Sequence, residues 1–481
     1  MKEIAIVALL FIHGTVFSQE LVEAIYLGST SKSETTAATS FPAQYALDYY
    51  KVLYTTLDVN GMPDTASGLM AVPQFAGNLP LLCYQHGTTD GKYDVPSNIG
   101  VGDAQTGLYA SQGYLSIAPD YIGMGESRGF HPYVHAATEA SAGADMIAAV
   151  AQWLTTEPDL AHNGQVFVTG YSQGGHASMA LHKLLEESSS NPFEVTAASH
   201  MSGPYSISEK MVGQALSPEP YLFVAYFAYT TMSYQTAYGN LYDDIGEVFK
   251  APYVEPIREF YTNFENGASL FDLNSELISL LNQNVGASVP YHMIQDSIRT
   301  VLELQPDDHP IIQALRDNDL YEWAPEAPTR ILYCQGDDQV PYTNSTLADS
   351  VMNALGAADL VTINLNPNFN HGQCVPPAFL ATLGFFNQFA SVTTDTDMPI
   401  MPRALAYPNP VTTTLYLQLP PASEPVVMEM TDLQGRHILS KDISPQITQI
   451  EIPVSHLRPG MYLIQLHYGS FSEVIRVVKH Q

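Results

Sequence analysis

The run Gly170-Tyr171-Ser172-Gln173-Gly174-Gly175 follows the β-branched segment Gln165-Val166-Phe167-Val168-Thr169 and opens an Ala-rich helical stretch; no other six residues restrict the fold of this chain as strongly. Gly-x-Ser-x-Gly at a strand-to-helix junction makes a nucleophile elbow: the flanking glycines let strand and helix pass without Cβ clashes, so a strained serine stands above the sheet edge. As a bare pattern it is weak, since small residues around a serine are common. Its place after a buried strand and before a helix gives it weight and makes Ser172 the candidate nucleophile.

A serine hydroxyl is a poor nucleophile near neutral pH, so it needs a base to take its proton and a carboxylate to orient that base. In elbow enzymes these follow in the order Ser, Asp or Glu, His. Between residue 338 and a change of composition near 400 stands a single histidine, His371, in the segment Asn366-Pro367-Asn368-Phe369-Asn370-His371-Gly372. A histidine among Gly, Asn and Pro is by default a surface residue, yet this one lies after the predicted last strand, in a loop where the base is needed. The carboxylate belongs after the preceding strand, where Gly336-Asp337-Asp338-Gln339-Val340-Pro341 sits; the register Asp-x-x-Val-Pro selects Asp337 over the alternative Asp338, and whichever of the two is not used is a loop cap. The developing oxyanion needs preset N–H donors, each worth about 10²–10³ in rate. Gln173, after the nucleophile, supplies one; Thr88, or else Gly87, in the early loop His86-Gly87-Thr88 supplies the other. His86 precedes the serine and reads as structural.

Around these residues strands and helices alternate. An antiparallel pair built on 49–56 and 68–73, turning at Asn60-Gly61, forms the leading edge of the sheet. Strands follow at 79–85, 115–119, 165–169, 195–200, 329–334 and 360–365, with helices at 105–112, 137–154, 345–355 and 376–389. That order predicts a mostly parallel sheet covered on both faces. Alternation is lost over about 205–325, where a stretch crowded with aromatics (Tyr221, Phe223, Tyr226, Phe227, Tyr229, Tyr234, Tyr238) precedes helical, acidic sequence. This reads as an inserted helical subdomain with its own aromatic core, as a cap lining an apolar acyl pocket, or as both.

The first 18 residues combine Lys2, an apolar run from Ile4 to Ile12 and a small residue at Ser18, the pattern of a secretory signal peptide. The run is far shorter than the roughly 20 residues that span a bilayer. Net charge is −31, and the acid excess is uneven: six acidic and six basic residues lie after residue 400, against 43 and 12 before it. So acidic a catalytic part argues against nucleic acid and anionic membrane surfaces as partners. Cys83 lies in a buried strand as a small core residue, whereas Cys334 and Cys374 each stand three residues from a presumed triad member. An exported chain permits a disulfide between them; two reduced cysteines in neighbouring elements is the alternative. No metal-binding spacing is present, and no cofactor is expected.

Tyr84-Gln85-His86-Gly87-Thr88, Pro119-Asp120-Tyr121-Ile122-Gly123-Met124-Gly125, the elbow, the Asp337 loop and His371 together resemble the α/β-hydrolases, and within them the secretory-lipase type with a helical cap. The resemblance runs from about 45 to 390. It implies an α/β-hydrolase fold with a helical cap insertion (about 205–325 within 19–390) and cleavage of carboxylic esters, small-molecule or lipid, through an acyl-enzyme. A serine peptidase using the same triad, or a non-catalytic surface binding protein on the same scaffold, are the competing readings. After a linker at 391–402, residues 403–481 show short alternating strands with turn residues every eight to twelve positions, a small all-β sandwich. Its Ala406-Tyr407-Pro408-Asn409-Pro410, Asp432-Leu433-Gln434-Gly435-Arg436, Leu457-Arg458-Pro459-Gly460-Met461-Tyr462 and Arg476-Val477-Val478-Lys479 resemble the C-terminal sorting domain of type IX secretion. That implies a secretion machinery as partner and a secreted or cell-surface location. A carbohydrate-binding module is the alternative for this domain, and its lack of tryptophan counts against stacking on sugars.

Overall fold

Among the described residues nine strands join in one sheet: β1 (Leu21–Thr30), β2 (Leu47–Leu57), β3 (Pro63–Pro73), β4 (Gly77–Gln85), β5 (Leu115–Pro119), β6 (Leu160–Tyr171), β7 (Val195–Met201), β8 (Thr329–Cys334) and β9 (Leu360–Asn366). Their order is β1-β2-β3-β5-β4-β6-β7-β8-β9. Pairing is antiparallel as far as β3–β5 and parallel from β5 to β9. This is a computed structural model; it describes residues 20–157, 160–189, 191–392, 404–408, 410–419, 425–432, 436–468 and 471–480. The expected signal peptide and all but the first two residues of the expected linker lie outside the described residues.

Side chains alternate across the sheet, and each face finds its cover. Leu81 and Cys83 of β4, with Val166 and Val168 of β6, pack under the helices Ala136–Leu154 and Gln173–Glu187. Their neighbours Leu82, Tyr84 and Phe167 point the other way, onto the helices Ala104–Ala110 and His371–Phe386. Such runs, buried on both faces, are what a parallel sheet under two helical layers demands.

Two expectations need correction. The β2–β3 pair turns at Asn60-Gly61 but is not the sheet's edge, because β1 adds outside it. β1 carries no regular alternation of buried and exposed positions and is broken by two bulges, so period-2 patterning had no signal to find there. The closing helix starts at His371, five residues before the predicted 376: Asn370 caps it in a reciprocal box with Gln373, and Pro376 and Pro377 lie inside it. His371 therefore stands on the first turn of a helix rather than in a loop.

Between β7 and β8 the chain forms the cap, with helices Ala225–Tyr238, Val254–Asn263, Leu270–Val285, Asp296–Leu304 and Pro310–Arg316. Its aromatics do pack on one another, Tyr229 on Phe260 at 5.5 Å and Phe260 on Phe264 at 5.7 Å between ring centres. Tyr229 also stacks at 4.6 Å on Tyr133 of the main body. No helix among the described residues is long and apolar enough to cross a membrane.

The tail holds a three-stranded sheet of β10 (Leu405–Tyr407), β11 (Thr414–Gln418) and β14 (Gln449–Pro453), and a four-stranded sheet of β12 (Val426–Asp432), β13 (His437–Ile443), β15 (Gly460–Tyr468) and β16 (Phe471–Lys479). Leu415, Leu417, Ile450 and Ile452 from the first meet Met428, Met430, Ile464 and Leu466 from the second in one core. A tail with its own core should be dispensable for folding of the rest. Deleting residues 403–481 is expected to leave a remainder that melts cooperatively by circular dichroism and is absent from the culture medium; a truncated protein that fails to fold, or is still exported, would contradict a separate sorting domain.

Candidate active site

β6 is followed by Ser172, whose backbone sits at φ 63° and ψ −121° immediately before the helix Gln173–Glu187. A left-handed φ on a non-glycine residue costs of order 1–3 kcal/mol and persists only where neighbours over-determine it. Here they do. A Cβ on Gly170 would lie 2.1 Å from the Gly174 carbonyl oxygen, one on Gly174 2.0 Å from that of Gln85, and one on Gly175 2.5 Å from that of Met201. The Ser172 N–H donates to the Met201 carbonyl at 2.9 Å. The ends of β4, β6 and β7 thus clamp the turn.

Asp337 follows β8 and His371 opens the helix after β9, so both arrive beside the elbow at the carboxyl ends of parallel strands. His371 Nδ1 lies 2.7 Å from Asp337 Oδ2, with the Asp337 side chain 1% exposed. The other oxygen, Oδ1, accepts the N–H groups of Gln339 and Val340, both at 2.9 Å. That doubly bonded turn is the physical content of the Asp-x-x-Val-Pro register. Asp338 accepts the backbone N–H of His371 at 3.1 Å, so it caps the same helix start.

A residue that sequence reading passed over completes this arrangement. The Tyr171 hydroxyl donates to the His371 carbonyl at 2.6 Å, and the two rings lie 4.9 Å apart. Burial pushes the Tyr171 hydroxyl pKa upward, which keeps it a donor. The only available signal was its position inside the elbow, next to Ser172.

Gln173 is the first residue of its helix, where a backbone N–H has no acceptor within the helix. Gly87 lies against the turn: a Cβ there would be 3.2 Å from the Tyr171 carbonyl oxygen and 3.8 Å from Ser172 Cβ. The Thr88 hydroxyl is hydrogen-bonded to Tyr133 at 2.8 Å. The ring of His86 faces two carbonyls, Nδ1 at 2.8 Å from that of Gly87 and Nε2 at 3.3 Å from that of Asp120, and bonds to neither Asp337 nor His371.

Cys334, at the end of β8, is bonded to Cys374, in the first turn after His371; their Cα atoms are 5.9 Å apart. Cys83 is free and buried, and burial pushes its thiol pKa up. Among the described residues no group of three His, Cys, Asp or Glu is placed to hold a metal ion.

Above Ser172 and Gln173 opens a cavity whose walls come mostly from the cap, including Met211, Phe227, Tyr242, Phe249 and Ile298, with Gln339 and Val340 at the acid loop. Among the described residues that line it there is no Asp, Glu, Lys, Arg or His. The cap is tied to the acid loop by the Tyr221 hydroxyl, which donates to the Gln339 carbonyl at 2.8 Å. The aromatic stretch therefore serves both purposes, its own core and the cavity wall.

Residues 31–209 match the model of the X-Pro dipeptidyl-peptidase (S15) family, and residues 405–480 that of the secretion system C-terminal sorting domain. Among solved structures the chain is similar to the rice cell wall degrading esterase LipA from Xanthomonas oryzae, at 28% identity over 76% of this chain and 95% of that one, with a TM-score of 0.66. It is also similar to a Legionella pneumophila protein, at 25% identity over 77% and 98% with a TM-score of 0.68. Candida antarctica lipase A in its closed state shares the fold, at 15% identity over 77% and 81% with a TM-score of 0.57. No curated protein sequence matches the chain.

The disulfide closes a separation of 40 residues. Replacing Cys334 and Cys374 by Ser is expected to lower stability by up to about 4 kcal/mol, the chain-entropy figure for such a loop. Thiol titration of the denatured, unreduced protein should find one free thiol; three would contradict the bond.

Proposed function

Starting from a hydrolase of the α/β-hydrolase fold that carries a type IX secretion sorting tail, we propose that the chain is a secreted or surface-held esterase or lipase, exported behind its signal peptide and working through Ser172, His371 and Asp337 without a cofactor. The Ser172 hydroxyl attacks the ester carbonyl while His371 takes its proton, and Asp337 holds the imidazole and balances its charge. The N–H of Gln173, with that of Thr88 or Gly87, receives the oxyanion. His371 returns the proton to the leaving alcohol, and water, activated by the same base, releases the acid.

The observation that carries this reading is the apolar cavity above Ser172, whose lining among the described residues holds no charged side chain. Such a wall suits an acyl chain and offers no carboxylate to neutralise the amine of a peptide. The esterase LipA, similar over most of the catalytic part, supports the same class. A peptidase reading is favoured by the match to the S15 family, but that match ends at residue 209, at the start of the cap and before Asp337 and His371. A binding protein without catalysis has no use for a carboxylate bonded to His371 beside a strained Ser172.

A panel of p-nitrophenyl esters from acetyl to palmitoyl, run beside aminoacyl p-nitroanilides, is expected to show ester turnover far above amide turnover; amide rates rivalling esters would move the assignment to a peptidase. Ser172→Ala is expected to lower kcat by on the order of 10⁶, since nucleophile and base act as a unit. A variant that kept a tenth of the activity would end the assignment. Asp337→Asn should cost roughly 10⁴ in kcat, whereas Asp338→Asn, which keeps an oxygen for the His371 N–H, should retain most of it. The reverse result would transfer the orienting role to Asp338.

A further inference from the structure

Under the elbow lies a buried polar network that the triad does not use. Glu139, in the helix Ala136–Leu154, is 0% exposed. Its Oε1 accepts a hydrogen bond from Gln173 Nε2 at 2.9 Å, and its Oε2 lies 2.7 Å from His176 Nδ1. Gln173 and His176 are three residues apart on the elbow helix, hence on one face, so a single carboxylate grips the first turn of that helix. The Nε2–H of His176 donates to the Asn318 carbonyl at 3.0 Å. The contact between His176 and Glu139 therefore holds one proton, whichever partner carries it, and the pair has no net charge.

The other amide hydrogen of Gln173 goes to His131 Nε2, at 2.9 Å. His131 donates from Nδ1 to the Ile122 carbonyl at 2.8 Å, and burial pushes its pKa down to about 3, which leaves Nε2 an acceptor. Both amide hydrogens of Gln173 are thus satisfied, and turning the amide over would set its oxygen against a carboxylate and a nitrogen lone pair. The network also reaches the cap. The Ser233 hydroxyl donates to the His131 carbonyl at 2.9 Å, and Asn318, which closes the insertion, accepts the Ala136 N–H at 2.7 Å and donates to Tyr238 at 3.1 Å.

We infer that Glu139 and His176 are positioning residues for the reaction: by fixing the side chain of Gln173 they aim its backbone N–H at the oxyanion, and they anchor the cap to the same point. This rests on the esterase reading above. An acceptor removed from Glu139 leaves buried donors unpaired, and a shift of about 1 Å in a catalytic group can cost about 10²-fold in rate.

The test compares Glu139→Gln, Glu139→Leu, Gln173→Leu and the double variant Glu139→Leu/Gln173→Leu on p-nitrophenyl butyrate, with melting temperatures measured alongside. Glu139→Gln still accepts from Gln173 and can donate to His176, so it is expected to keep at least about a third of kcat. Glu139→Leu and Gln173→Leu should each lose about 10- to 100-fold in kcat with KM little changed. The double variant should lose no more than either alone, because both break one linkage. Native kcat in folded Glu139→Leu or Gln173→Leu, or losses that multiply in the double variant, would overturn the inference. Should Glu139→Leu not fold, Gln173→Leu decides by the same criterion. Ser172→Ala separates the two levels: activity surviving in it sinks the esterase reading, whereas a dead Ser172→Ala beside a native Gln173→Leu sinks only the positioning role.

Discussion

The approach of Gly174 to the Gln85 carbonyl, too close for any side chain, is the contact on which the rest of the site depends. It lets the elbow helix start directly above the ends of β4 and β6. A side chain at Gly170 or Gly174 would push strand and helix apart and release the strained Ser172 backbone. The same turn presents Tyr171, whose hydroxyl holds the start of the His371 helix. One steric constraint thus places Ser172 and helps to place His371.

The other partners are secured from separate parts of the chain. Asp337 is held by the backbone of its own turn, the disulfide links the end of β8 to the turn after His371, and Tyr221 of the cap bonds the residue two beyond the acid. Asp337 and His371 are thus held in register by bonds within the protein, and the cap is connected to their surroundings at Gln339 as well as through the network under Gln173. The molecule bears a net charge of −31, yet among the described residues that line the cavity there is no Asp, Glu, Lys, Arg or His.

Much of this was legible in the residues themselves. A β-branched strand running into Gly-x-Ser-x-Gly, followed in order by an Asp-x-x-Val-Pro turn and a lone histidine, is a pattern whose parts have few other uses in one chain. β1 escaped because an exposed, bulged edge strand lacks alternation, and the closing helix was misplaced because Pro376 and Pro377 look like a start signal while the Asn370 and Gln373 box does the capping. Tyr171, Glu139 and His176 could not be singled out, since their roles arise from contacts between segments distant in sequence. Periodicity along the helix Ala136–Leu154 marks Glu139 only as a polar residue, and its partners lie more than thirty positions away.

The central claim is that Ser172 is a nucleophile activated by His371. Labelling the folded protein with a fluorophosphonate and mapping the modified peptide by mass spectrometry tests it most directly. The account predicts one adduct, on the peptide containing Ser172, formed rapidly in the native chain and lost in His371→Ala. No adduct, or one on a different serine, would contradict it.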